Sequence, residues 1–391
     1  MSRRGRLDAV VVGGGVVGAA CALVLAKQGL QVALVEGRAP SSWSPDTPDL
    51  RVYAFAPDNA TLLDELGVWA AVRDARAYPY RRMRVWDAGG GGELSFDADA
   101  LGRGQLGWII ENNLLLDRLW AALAGAGVQV ACPARVQAME QDEAGVRLTL
   151  EDGSRLEAAL AIAADGADST LRGLAGFSVA EHDYAQRGVV AFIETEAANE
   201  ATAWQRFLPD GPLAVLPFGA QSSIVWTLPN AEAERLLAVD EAAFGHALTT
   251  AFAGRLGAMR LASKRAAFPL RRQLAQDYLR GRVLLLGDAA HVVHPLAGQG
   301  VNLGLRDVAA LRDSIIDARR RRVDWTSPHR LARWARTRRS ENAAAAYTFD
   351  GINKLFSTDE MHLSLLRGPL LGLAGKLPPL AGLLWRRASG L

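Results

Sequence analysis

The apolar positions of this chain fall into two different rhythms. Residues 7–12 make an apolar run of strand length, and after Gly13-Gly14-Gly15-Val16-Val17-Gly18 the chain stays apolar to about Gln28, where Gly29 ends a helix. A second strand over 31–35 leads straight into Glu36. Two further apolar runs behave alike: 160–164 ends in Asp165-Gly166, and 283–286 ends in Gly287-Asp288. Continuous runs of this kind suit buried parallel strands, and each delivers a glycine or acid to its carboxyl end, where ligands bind in open α/β sheets. The stretches 188–193 and 222–228 are strands of another kind, belonging to a mostly antiparallel sheet. From Ser327 the pattern is helical, and no repeat period is visible.

The glycines define the chemistry of the first rhythm. Gly13 permits a tight turn, Gly15 lets backbone approach a pyrophosphate, and Gly18 allows the helix to pack closely on the sheet. Glu36 stands where an acid accepts the hydroxyls of an adenosine ribose, which disfavours a 2′-phosphate there. No Walker A lysine follows these glycines, so phosphoryl transfer is not expected. In the segment 287–307, GDAAHVVHPLAGQGVNLGLRD, Asp288 is placed to bond a sugar or ribityl hydroxyl. Gly298-Gln299-Gly300 then lets backbone N–H groups at a helix start lie against a planar ring. The helix dipole would stabilise a negative charge on that ring by roughly 0.3–2 kcal/mol, which suits a reduced flavin. Asp165-Gly166 alone would read as a turn.

Together the three motifs resemble the class A flavoprotein aromatic hydroxylases, with the para-hydroxybenzoate hydroxylase-like fold. In that class the first motif holds the FAD adenosine, the Asp-Gly motif serves both FAD and NAD(P)H, and the Gly-Asp motif holds the ribityl chain. The run from His294 through Asn302 to Asp307 narrows the resemblance to the ubiquinone-biosynthesis hydroxylases, together with Arg51-Val-Tyr-Ala-Phe, Ile110-Glu-Asn112, Trp204-Gln-Arg-Phe and Arg338-Arg-Ser-Glu-Asn342. It covers the chain from about residue 7 to about residue 385. Two departures stand out: Asn112 occupies a place where many members of the wider class carry an arginine, and residues 89–92 are four glycines. The resemblance implies an α/β chain with a discontinuous Rossmann-like FAD-binding domain (1–75, 102–180 and 275–325). It also implies an inserted, mostly antiparallel substrate domain (76–101 and 181–274) and a C-terminal helical segment (326–391).

The cofactor residues expected on these grounds are Gly13, Gly15, Gly18, Glu36, Arg51, Asn112, Asp165, Gly166, Gly287, Asp288, Pro295, Gly298, Gln299, Gly300 and Asn302. FAD is expected without a covalent link, with NAD(P)H as co-substrate. His294 and Pro295 are the candidate catalytic pair, although the flavin carries the hard step. His294 is expected to shape the turn beside the ring and His291 to be structural. Without cysteine or carboxylate partners at ligand spacing, no metal is expected. Trp204, Phe207, Trp226 and Phe268 are candidates for an aromatic substrate pocket, each with core packing as the alternative.

Composition trims the alternatives. A chain of 391 residues with formal net charge +2 is no nucleic-acid platform, and Arg319-Arg320-Arg321-Arg322 reads as a solvated helix end rather than a membrane patch. Cys21 and Cys132 are the only cysteines, too few for a disulfide framework, so a reducing, cytoplasmic compartment is expected. Ser2-Arg3-Arg4-Gly5-Arg6 imitates an export signal, but cleavage near Ala20 would remove the glycine motif, so it reads as a disordered tail. The leucine-rich stretch 363–385 is broken by Arg367, Pro369, Lys376, Pro378 and Pro379 and is too short of uncharged length to span a bilayer. An interfacial helix, a contact in a multi-enzyme complex, and packing on the protein's own core all suit it. The expected reaction is O₂- and NAD(P)H-dependent hydroxylation of the ring of a polyprenylated phenol, peripheral to the inner membrane. The alternatives are another small aromatic or isoprenoid substrate, or a non-catalytic flavin-fold subunit that binds lipid or aids assembly.

Overall fold

The computed structural model describes residues 6–89, 92–294 and 300–357. Pro295, Gly298, Gln299, the 363–385 stretch and most of the basic N-terminal tail therefore lie outside the described residues.

The first rhythm folds as one sheet. Leu7–Val12 lies at its centre, parallel to Arg155–Ala163 on one side and Val32–Val35 on the other. Val283–Leu285 and Gln129–Ala131 extend it in parallel on the two sides, and Leu279–Arg280 adds an antiparallel edge beyond Val283–Leu285. The strands that end in Gly13, Glu36, Asp165 and Gly287 thus point the same way, and their carboxyl ends share one edge of the sheet. Helix Val16–Lys27 is apolar nearly all round because it is sandwiched between helices Asn112–Gly125 and Gly300–Arg320 and the sheet. Two glycines make this closeness possible: a Cβ on Gly18 would overlap the Gly13 carbonyl, and one on Gly304 would meet Val17 at 2.6 Å.

The second rhythm folds as a nine-stranded sheet around Val179–Thr195, which pairs antiparallel with Gln221–Pro229 and Ala266–Ala275. Gly211–Phe218 and Thr202–Leu208 continue it, and Arg82–Asp87 adds the one parallel pairing, to Thr202–Leu208. Helices Asn230–Ala238 and Glu241–Ala251 cover one face, burying Phe244, Phe252, Trp226 and Leu213 beneath them. The other face looks toward the glycine turns. A three-stranded sheet of Val52–Phe55, Gly107–Glu111 and Tyr78–Tyr80 closes its deep end, with Ala54 and Ile109 packed on Leu216 and Phe192.

One short element joins the two systems. His291–Val292 follows the Gly287-Asp288 turn, yet pairs with Gln273–Leu274 of the antiparallel sheet. The C-terminal pattern folds as helix Pro328–Ser357. The arginine run sits at the end of Gly300–Arg320, all four residues exposed, with Arg319 donating to the Gln28 carbonyl and Arg321 pairing with Asp317.

Candidate active site

A cavity of ≈ 2100 Å³ runs from the glycine turns, past Asp288 and His294, to the open face of the antiparallel sheet. Its nucleotide end is built by backbone. Gly13 is held at φ +101, where any Cβ would strike the Ala164–Asp165 peptide, whereas a Cβ on Gly15, Gly166 or Gly300 would meet nothing within 4 Å. That open volume beside bare backbone is a cradle of the kind a pyrophosphate occupies. Glu36 accepts from the Gly14 N–H at 2.5 Å and the Arg38 N–H at 2.9 Å, so it also fastens the loop it serves. Its carboxylate has lone pairs left for ribose hydroxyls. Gly287, at φ +55, turns the chain so that Asp288 lines the cavity. The Asp288 carboxylate has no hydrogen-bond partner among the described residues and faces the Arg51 guanidinium, whose charge Tyr53, Asp288 and Asp49 support. An acid left unpaired beside a cavity suits a ligand's hydroxyl groups.

Arg51 and Asn112 both line the cavity and are linked through Tyr53 and Asp49. Tyr53 donates its hydroxyl to Asn112 at 2.9 Å, Asn112 donates to Asp49 at 3.4 Å, and Arg51 lies over the Tyr53 ring. Burial pushes the Tyr53 hydroxyl up to about 12, so it stays a donor at neutral pH. The sequence signal was the alternation of Val52–Phe55, which turns Tyr53 and Phe55 to one side.

Two expected ligands do other work. Asn302 is 0% exposed, absent from the cavity wall, and bonded to Ala54 O, Ala56 N and Asn59 Nδ2. Its amide clamps the start of helix Pro57–Glu65, because that helix has no side-chain cap of its own. The Asp165 carboxylate accepts from Ser169 Oγ and from Leu171 N at 3.1 Å, ordering helix Thr170–Leu174, although Asp165 and Gly166 still border the cavity.

His294 lines the cavity at 1% exposure, with neither ring nitrogen partnered among the described residues and its ring edge-on to Tyr184 at 5.0 Å. Burial pushes its pKa down to about 4, against an opposing pull from Asp350, so it is a neutral imidazole at physiological pH. His291 is structural: its Nε2 lies 2.6 Å from Asp307 Oδ2, which also accepts from Gly287 N at 3.1 Å. Asp307 Oδ1 accepts from Arg338 Nε at 2.8 Å and Asn342 Nδ2 at 2.9 Å. Burial alone would raise the Asp307 carboxyl, but His291, Arg338 and Asn342 hold it below the usual range. Asp307 thus ties the cofactor turn to helix Pro328–Ser357. The i, i+4 spacing of Arg338 and Asn342 on one helix face was the available signal.

The aromatic pocket is largely absent. Strand alternation sends the Trp204 ring to the helix-covered face, against Trp86 and Arg255, and Trp226 to the same core beside Phe244. Phe207 and Trp226 are off the cavity wall, Trp204 borders it while its ring packs on Trp86 and Arg255, and Phe268, 40% exposed, lines it. The wall is aliphatic instead: Val190, Ala214, Leu216 and Val225. Among the described residues no group of His, Cys, Asp and Glu is arranged to hold a metal, and no helix is long and apolar enough to cross a membrane.

Comparison with known proteins adds an independent finding. Residues 6–346 match the family model described as FAD binding domain. The chain is 37% identical over 384 residues to 3-demethoxyubiquinol 3-hydroxylase of Escherichia coli, covering 97% of each chain. It is 35% identical over 385 residues to ubiquinone hydroxylase UbiL of Rhodospirillum rubrum, covering 98% of this chain and 89% of the relative. Among solved structures, p-nitrophenol 4-monooxygenase PnpA of Pseudomonas putida superposes with a TM-score of 0.78 at 22% identity over 98% of both chains. HpxO of Klebsiella pneumoniae, complexed with FAD and uric acid, does so with a TM-score of 0.75 at 19% identity over 97% of both. At these identities the structural likeness shows the fold.

Proposed function

Since the chain belongs to the ubiquinone-biosynthesis family of FAD-dependent hydroxylases, we propose that its cavity binds a polyprenylated phenol and hydroxylates the ring with O₂ and NAD(P)H. The observation that carries this reading is the continuity of the cavity: bare glycine backbone at one end and an aliphatic sheet face at the other, with Asp288 and His294 between them. Segments 1–75, 102–180 and 275–325 hold the cofactor, and 76–101 with 181–274 wall the substrate.

Bound FAD, reduced by NAD(P)H, supplies activation of O₂ for transfer to an electron-rich ring. The chain supplies position and dryness. Gly13, Gly15, Gly166 and Gly300 give the backbone approach, Gly18 lets the helix pack close behind them, Glu36 takes the adenosine end, and Asp288 takes the ribityl hydroxyls, with Arg51 supplying charge and Asn112 a neutral amide beside them. Pro295, Gly298 and Gln299, outside the described residues, are assigned to cofactor binding on the sequence motif alone. His294, neutral and without a partner among the described residues, offers one donor and one acceptor where water is excluded. The aliphatic wall takes the start of the isoprenoid tail, each buried CH₂ contributing about 0.8 kcal/mol. Such a substrate partitions into a membrane, which supports a reading in which the enzyme works beside the membrane surface.

The test is incorporation from labelled oxygen gas. With FAD, NAD(P)H and a polyprenylphenol, one labelled atom is expected in the ring for each nicotinamide oxidised. Label appearing only in water or peroxide across a panel of such phenols, while a tail-free aromatic is oxygenated, would sink the assignment.

A further inference from the structure

The cavity face of the antiparallel sheet can be read row by row from its register. Toward the exposed end lies Thr227 with Gly188 and Phe268. The next row runs Gln205, Ala214, Val225, Val190 and Ala266. The deepest holds Ala203 and Leu216, against Ala54 and Ile109. The middle row is aliphatic except for Gln205.

Gln205 is the anomaly. It is 7% exposed, lines the cavity, and its side-chain amide has no hydrogen-bond partner among the described residues. The residue is buried, yet its amide atoms are not among the fully enclosed unpartnered ones, so they open on the cavity, where a ligand can pair them. Thr202–Leu208 had a free choice at this position, because every neighbour of Gln205 along the row is apolar. Its cross-strand partner Ala214 is also the smallest side chain that still keeps the strand regular, which leaves space directly beside the amide. Space plus an unpaired donor and acceptor, midway down an aliphatic wall, describes a seat for a planar apolar ring bearing one oxygen.

We propose that Gln205 is the specificity-determining residue that recognises the ring oxygen of the substrate, its amide exchanging hydrogen bonds with a phenolic hydroxyl while Ala214 makes room for the ring. This rests on the polyprenylphenol reading above. Thr227, 2% exposed and likewise without a side-chain partner, lies a row nearer the mouth and two strands away, roughly 10 Å off by strand spacing, too far to contact the same oxygen. His294 sits on the cofactor side of the cavity and not on this face.

The experiment measures binding to FAD-loaded protein of two probes, a prenylated phenol and the matching prenylated benzene without oxygen, by quenching of flavin fluorescence. Wild-type protein is expected to favour the phenol by about ten- to a hundredfold, the range for one buried hydrogen bond and the group it leaves unpaired. Gln205→Leu is expected to abolish that preference while binding the prenylated benzene at least as well. Gln205→Met, which keeps the length without the amide, is expected to do the same if the branched side chain disturbs folding. Retention of the wild-type preference in either folded variant overturns the inference, as does equal binding of both probes by wild-type protein. If wild-type protein loaded with FAD binds neither probe, the substrate reading fails and this inference falls with it.

Discussion

The two sheets carry function in different currencies. Around the parallel sheet the functional surface is main chain: Gly13, Gly15, Gly166 and Gly300 matter for what they lack, and side chains such as Glu36 and Asp307 chiefly hold loops in place. Across the cavity, on the antiparallel sheet, the surface is side chains alone, chosen by which parity of each strand faces inward. Of these four glycines Gly13 is the one where a Cβ would strike peptide atoms that cannot move aside; at Gly15, Gly166 and Gly300 a Cβ would enter open cavity and take the space a ligand needs. A side-chain surface is graded, each methyl adding or removing a small amount of contact.

The comparison is strained hardest by Asp307, a side chain on which the backbone surface depends. Asp307→Ala leaves His291 and Arg338 facing each other in the core without the carboxylate that bonds both. Removing one member of a buried charged cluster typically costs 3–5 kcal/mol, so the variant is expected to unfold at a correspondingly lower urea concentration. The Gly287 N–H loses its acceptor at the same time, so whatever folds should also bind FAD less tightly. A stability loss under about 1 kcal/mol would show that the cluster is not what holds the turn.

His294 stands at the junction of the two surfaces, two residues past the last pairing with the antiparallel sheet. Burial depresses its pKa to about 4 from an ordinary 6.5. Between those values the unfolded chain binds a proton that the folded chain does not, so stability falls as pH is lowered through this window and is fully retained above it. The loss should approach about 3 kcal/mol by pH 4. His294→Gln, which cannot titrate, should lack this component when urea unfolding is compared at pH 7 and pH 4.5. Parallel pH slopes in the two proteins would mean that the ring is not buried in solution.

How much of this was legible follows the same division. Strands 7–12 and 283–286, the helix after Gly18 and the acid at Glu36 were readable because a backbone function writes itself as glycine at fixed spacing. Aromatic residues on the antiparallel strands misled, because composition names the residue type but only register says which way it points: Trp204 and Trp226 went to the far core, while Gln205 went inward. Asn302 and Asp165 lie inside motifs, yet their side chains cap and clamp the elements that present the motif. Such supporting roles depend on long-range neighbours, Ala54 for Asn302 and Arg338 for Asp307, that local sequence does not display.

Asp288 gives the backbone side its most direct readout, since its carboxylate is held for the ligand and not for the fold. Asp288→Ala should leave unfolding nearly unchanged and weaken FAD by about 1.5–3 kcal/mol, on the order of ten- to a hundredfold in Kd. Glu36→Ala should differ by losing stability as well, because Glu36 bonds the N–H groups of Gly14 and Arg38. Titration of apoprotein with FAD, alongside urea unfolding, separates the two. Equal stability losses in both variants would erase the distinction drawn between a ligand acid and a loop acid.

The smallest effect is the sharpest test of the side-chain surface, because it turns on two adjacent residues. Val225 lies on the cavity wall and Trp226 in the core under the helices, one residue apart on Gln221–Pro229. Val225→Ala removes apolar contact from the proposed tail site, and a loss of about 1 kcal/mol corresponds to roughly fivefold weaker binding of a polyprenylphenol. FAD affinity should not move, since Val225 lies on the antiparallel sheet and not among the glycine turns. Trp226→Phe should do the reverse, lowering stability by about 1 kcal/mol through lost packing while leaving phenol affinity alone. If the two substitutions shift binding and stability in the same proportions, parity does not divide this sheet into a working face and a supporting face, and the row-by-row reading of the wall loses its basis.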